Sequence, residues 1–198
     1  MLALLPLTVL AQDNTWEQPE EEEQKAEETV VNPDAKYLRG AVPVVNGKVA
    51  FSKTIAAPGK SAAQVYAIVK GYMRKMTGEK NQINSRIALD DSVKYELTGF
   101  YDEWLVFKTN IISLDRTQLI YALQAKCHDG GVDILMTHIR YLYDMQREPQ
   151  KYKAEEWITD EEAVNKKNTR LLPLSGKFRR KTIDRKDFLF NKFETLLK

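Results

Sequence analysis

Gly59-Lys60-Ser61 lies between a strand-like and a helix-like run, where a phosphate-binding loop would place its lysine and hydroxyl. That loop needs a glycine five residues before Gly59, where the chain has Thr54, and Pro58 removes an N–H from the backbone that would wrap the phosphates. Ser61 with Gln64 three residues later reads instead as a helix capping box. The two histidines are His128 and His138. With Gly130-Gly131 as a two-residue hairpin loop they sit ~16 Å apart, too far for one metal ion. Cys127 ends the alternating segment Leu119-x-Tyr121-x-Leu123-x-Ala125-x-Cys127, which makes it a small buried hydrophobe. A catalytic thiol needs an exposed, electropositive setting. Glu155-Glu156 and Asp160-Glu161-Glu162 flank Trp157, but no spacing marks a glycosidase-like carboxylate pair. The chain has no Gly-x-Ser-x-Gly elbow, no paired-histidine helix motif and no dinucleotide-binding glycine fingerprint. No catalytic, cofactor-binding or metal-ligating residue is assigned.

Binding chemistry is better represented. Lys177-Phe178-Arg179-Arg180-Lys181, continued by Arg185 and Lys186, could engage phosphates or an acidic surface. Trp104, Tyr141, Tyr143, Tyr152 and Trp157 could line a groove, or could be core and cross-strand pairs. Tyr152, Trp157, Arg179 and Arg180 fall outside the main hairpins, where binding loops tend to lie, and form the candidate binding surface.

The elements that must position these residues follow from hydrophobic period. Lys48–Ala57 reads as a strand with Val49, Phe51 and Ile55 on one face. After the turn at Pro58-Gly59, Val65, Ile68, Val69, Tyr72 and Met76 make one apolar helical stripe, closed by Gly78. From Ile83 to Asp144 the period is two, giving strand segments 83–89, 93–99, 103–109, 117–128 and 132–143. Asp90-Asp91 and Asp129-Gly130-Gly131 supply turn signals. Thr159-x-x-Glu162 reads as a second capping box, and Pro173 with Gly176 as a break. Thr182–Lys198 reads as a terminal helix burying Ile183, Leu189, Phe190, Phe193, Leu196 and Leu197. An antiparallel meander with one apolar face needs a cover, and the first helix supplies it.

The 198 residues carry a net charge of only +2, which hides an asymmetry. Residues 12–35 hold nine acids and one base, against 29 bases and 19 acids in residues 36–198. So acidic a stretch is expected to be a disordered arm, either a solvated spacer or an electrostatic arm that folds back on the basic body. Residues 1–11, MLALLPLTVLA, resemble the apolar region and cleavage site of a secretory signal peptide, without its basic start. They are too short to span a bilayer, and no later segment is apolar enough to do so. Export follows as the expectation, and it removes the usual nucleic-acid targets of a basic stretch. The single cysteine excludes an intramolecular disulfide.

Several stretches resemble one family: Leu38–Pro43, Val44–Val49, Ser113–Thr117, Ile139–Tyr143, Tyr152–Asp160 and Phe178–Asp184. They are similar to exported proteins of gut-dwelling Gram-negative anaerobes that carry a domain of unknown function with a TBP-like fold. The resemblance runs from residue 36 to about 190, and this chain departs from it in the acidic arm and the short signal-like start. It implies a helix packed on a curved antiparallel sheet and brings no catalytic residues. The fold name refers to the architecture of the TATA-binding protein, and fold does not transmit function. The expected organisation is a signal-like segment (1–11), an acidic arm (12–35) and a single α+β domain with a C-terminal helical extension (36–198). In that domain helices cover one face of a curved antiparallel sheet, in the order β-α-β-β-β-β-α. The expected role is a non-catalytic periplasmic or outer-envelope module without cofactor, binding a protein or small-molecule partner through its sheet or its basic C-terminal segment. A carrier of an apolar ligand held between sheet and helices is the alternative, and a carboxylate hydrolase the third.

Overall fold

The computed structural model describes residues 32–109, 114–143 and 148–198. The signal-like segment 1–11 and residues 12–31 of the acidic arm lie outside the described residues. A short hairpin comes first, β1 (Val44–Val45) with β2 (Lys48–Val49), turning at Asn46-Gly47 with φ of 50° and 73°. Asn-Gly is the pair that tolerates two successive left-handed residues. There follow β3 (Phe51–Ala56), α1 (Ala62–Met76), β4 (Arg86–Asp91), β5 (Glu96–Thr109), β6 (Leu114–His128), β7 (Gly131–Tyr143) and β8 (Gln150–Lys153). Two single-turn helices, α2 (Ala154–Trp157) and α3 (Asp160–Ala163), lead to the long α4 (Ser175–Leu197). The main sheet is antiparallel in the order β3-β7-β6-β5-β4, and β8 extends the edge of β7 beyond β3.

The α+β class, with its antiparallel sheet and helical cover, is as the sequence pattern requires. α1 starts where expected: Ser61 Oγ accepts from Gln64 N–H while the Gln64 side chain accepts from Ser61 N–H. Its stripe buries Val65, Val69, Tyr72 and Met76, joined by Tyr66 and Met73, while Ile68 is only half-buried. The inward residues of the strands, Leu97, Tyr101, Leu105, Leu119, Tyr121 and Leu123, join the same buried core. Each large apolar side chain so buried is worth roughly 1.5–3 kcal/mol. Tyr101 stacks on Tyr121 at 5.3 Å and donates its hydroxyl to Met73 O. Cys127 sits on the buried face, as its alternation indicates.

Several boundaries differ from the sequence reading. Segments 93–99 and 103–109 are one strand, because Phe100, Tyr101 and Asp102 continue the ladder and contain no breaker. Asp91 ends β4 and accepts from Val93 and Lys94 N–H, so the turn lies two residues later than Asp90-Asp91 alone suggests. The β6–β7 hairpin turns on Asp129-Gly130, with His128 opposite Gly131 rather than Asp133. Gly78 follows α1 without a left-handed φ. Thr159 precedes α3 but makes no side-chain cap. α4 begins at Ser175, seven residues before Thr182. Gly176 is no break; it is buried in the first turn, where a Cβ would meet Leu171 Cβ at 2.6 Å. Leu196 is exposed rather than buried.

Candidate functional site

The four residues expected to share a binding surface are placed unequally. Tyr152 and Trp157 are half-buried and stack at 3.9 Å with an interplanar angle of 9°, because α2 folds the chain back directly after β8. Phe178 meets both rings edge-on, and also packs on Phe107, Tyr141 and Tyr143. Arg180 is half-exposed and ion-paired with Asp34. Arg179 is the correction, being fully buried. It donates through Nε to Tyr37 O (2.6 Å), through Nη1 to Ile158 O (2.7 Å), and through Nη2 to Leu38 O (2.6 Å) and Asp160 Oδ1 (2.7 Å). Leu38 O also accepts from Ala41 N–H, and one guanidinium fork reaches all three carbonyls. It is a clasp between α4, α2–α3 and residues 37–38, and is not available to a ligand.

A second buried arginine was not anticipated. Arg185 and Glu103 are both fully buried and paired bidentately, each N–O distance being 2.7 Å. Gln82 and Asn81 also donate to Glu103 Oε2 at 2.6 and 3.2 Å. Burial works against the Arg185 charge, but the adjacent Glu103 outweighs it and holds the guanidinium protonated. The signal for this pair was in the periods. Glu103 occupies an inward position in Leu97-x-Gly99-x-Tyr101-x-Glu103-x-Leu105, and Arg185 the stripe Phe178, Thr182, Arg185, Leu189, Phe193.

The Lys60 loop holds no anion site. Lys60 Nζ donates to Leu197 O at 2.8 Å, at the C-terminal end of α4, and the Asp129 carboxylate accepts from Ala62 N–H in the first turn of α1. Protein groups of the right sign therefore fill both positions. The histidines are exposed and remote from each other: His128 faces the hairpin end, and His138 lies at a bulge opposite Tyr121 with φ of 55°. That is seven residues along β6, or ~23 Å.

The remaining candidate is the sheet face opposite α1 and α4. Even-numbered residues of β5 and β6 point there, and register places them in rows. One row runs Trp104, Gln118, Leu142, Lys151, and the next runs Asp102, Ile120, Arg140, Lys153. Arg116, beside the first row, lies over the Trp104 ring at 3.7 Å. Arg140 and Lys153 are directly opposite each other across β7 and β8. Lys153 shares its charge with Glu156 at 2.8 Å, an exposed pair. Burial, and then the charge of Glu103, raise the Asp102 carboxyl, which weakens it as a local counter-ion. Strand alternation puts these residues on one face, whereas the basic run 177–181 is partly spent on internal pairs.

A match to the domain of unknown function (DUF4468) with TBP-like fold spans residues 51–142. The crystal structure of a DUF4468 family protein from Bacteroides ovatus ATCC 8483 is 42% identical with a TM-score of 0.77, covering 83% of this chain and 94% of that one. This chain belongs to the DUF4468 family. A TBP-like protein from Parabacteroides distasonis ATCC 8503 has 20% identity and a TM-score of 0.66, covering 79% of this chain and 97% of that one, and shares the fold. No curated protein matches. The DUF4468 match runs from the start of β3 to Leu142 in β7 and so includes Trp104, Arg116, Arg140 and Leu142. Lys151, Lys153 and α4 lie beyond it. Among the described residues no helix is long and apolar enough to cross a membrane, and no three or more His, Cys, Asp or Glu side chains are grouped to hold a metal.

Proposed function

We propose that this DUF4468 member is a non-catalytic, exported module of the periplasm or outer envelope that binds an acidic protein segment on its open sheet face. The observation that carries the reading is the opposition of Arg140 and Lys153 on the solvent face, with Lys151 in the next row and Arg116 beyond it on the same face. Like charges directly opposite across strands are destabilising, and an incoming carboxylate relieves that cost. Trp104 and Leu142 provide half-buried apolar area between the cations, the combination of anchor and charge that recognition surfaces use. The Arg179 clasp and the Arg180–Asp34 pair leave the basic C-terminal segment less suited to the task.

The test is calorimetric titration of a deca-glutamate peptide into the full chain at low salt. Replacing both Arg140 and Lys151 by Glu should weaken binding about tenfold or more, and added salt should weaken the parent's binding steeply. Equal affinity of parent and double variant overturns the assignment of the face. Cell fractionation tests the compartment, and recovery in the cytoplasm overturns export.

A further inference from the structure

The described chain starts at Asn32, and its first residues are fastened to one place. Asn32 Nδ2 donates to Thr169 O at 2.8 Å, and Asp34 Oδ2 accepts from Leu171 N–H at 3.0 Å. Both partners belong to the hairpin that joins α3 to α4, closed by the Val164–Leu171 bridge. Its loop carries Lys166, Lys167 and Arg170, all exposed, with no acid between residues 164 and 172. None of the three takes part in an ion pair among the described residues. Immediately before Asn32 the sequence has eight acids and one base in residues 12–31. Glu28 is four residues from Asn32, so it lies within ~14 Å of that anchor even when the chain is fully extended.

We infer that the acidic segment Glu17–Glu28 docks in cis on the Lys166–Arg170 loop. Charge complementarity selects the surface, and the anchor at Asn32 and Asp34 makes the encounter intramolecular, at millimolar effective concentration. Asp34 shows the same pairing one step along the chain. Burial alone would raise its carboxyl, but Leu171 N–H and Arg180 outweigh burial and hold it below its ordinary value. The docked segment is separate from the open sheet face, so this inference stands or falls independently of the function proposed above.

Carbodiimide coupling, which joins carboxylates to lysines in direct contact, tests it on the full chain. At low salt, mass spectrometry of the monomer band should find Glu17–Glu28 joined to Lys166 or Lys167, and 1 M salt should abolish the links (Debye length about 3 Å). Links to Lys151 or Lys153 instead, links only between chains, or none at all overturn the inference. The exposed-loop variant Lys166→Glu with Lys167→Glu and Arg170→Glu provides a second reading. A Glu-specific protease should cut segment 17–28 about tenfold faster in that variant at low salt. An unchanged rate overturns the inference.

Discussion

Removing one partner of the Glu103–Arg185 pair should destabilise the fold more than removing both. In Glu103→Leu the Arg185 guanidinium stays fully buried and loses both of its 2.7 Å bonds to the carboxylate. Removing one partner of a buried ion pair in this way costs about 3–5 kcal/mol. For a chain of this size each 1 kcal/mol moves Tm by about 2–4 °C, so the single variant should melt about 6–20 °C lower. Arg185→Met strands the Glu103 carboxylate in the same way, except that Gln82 and Asn81 still donate to it. Its loss should therefore fall at the lower end of that range. The double variant Glu103→Leu with Arg185→Met exchanges the pair for apolar volume, against Leu105, Tyr101 and α4. It removes the Glu103 acceptor of Gln82 and Asn81, but Gln82 Nε2 still donates to Asn81 Oδ1 and both residues are only half-buried. It should unfold within about 2 kcal/mol of the parent, because desolvating the pair offsets most of its attraction. Urea unfolding followed by far-ultraviolet circular dichroism measures all four proteins with two-state fits. A double variant that loses the sum of the two single losses would refute the reasoning, since the two sites would then be uncoupled.

The arginines of α4 and the buried Cys127 and Tyr66 give further outcomes. Arg179→Met should release residues 37–38 and α2–α3 together, costing about 3 kcal/mol or more, whereas Arg180→Met should cost about 1 kcal/mol or less. Equal losses in urea titrations would contradict the clasp. At alkaline pH, burial pushes the Cys127 thiol up from 9.0 to about 12, and burial with the adjacent Asp90 pushes Tyr66 up from 10.0 to about 12. The folded state therefore holds protons that the unfolded chain releases, so these two groups should make stability fall progressively between pH 9 and 12, from a level held between pH 7 and 9. Cys127 should resist thiol reagents at pH 8 until the protein is unfolded; rapid native labelling, or stability rising above pH 9, would contradict this.

Where one physical rule dominates, the sequence announces the structure. The Ser61 cap and the Val65–Met76 stripe place α1, and the odd positions from Leu119 to Cys127 place the inner face of β6. Less was legible where rules compete. The Asn46-Gly47 hairpin carried a strong turn signal, but its strands are two residues each and offer almost no alternation to read. The start of α4 was hidden because Gly176 suggests a break, and only its packing on Leu171 explains why it is helical. Arg179 and Arg185 looked like surface cations, since residue type outweighed their positions on the buried stripe. The cationic rows of the open face depend on cross-strand register, which pairs Arg140 with Lys153 across 13 residues of sequence. Composition could not reveal it.

The bulge at His138 separates two registers of β7. Ala122 pairs with Thr137 and Ile120 with Arg140, so β7 spends an additional residue opposite Tyr121. Even-numbered residues point inward before it (Val132, Ile134, Met136), and odd-numbered ones after it (Ile139, Tyr141). Shortening β7 by His138 would thus leave all of those side chains on their present sides, whereas a deletion elsewhere in the strand would invert part of it. What the shortened strand would surrender is twist. The extra residue thus sets the contour of the sheet at that point and leaves untouched which side chains face in and which face out.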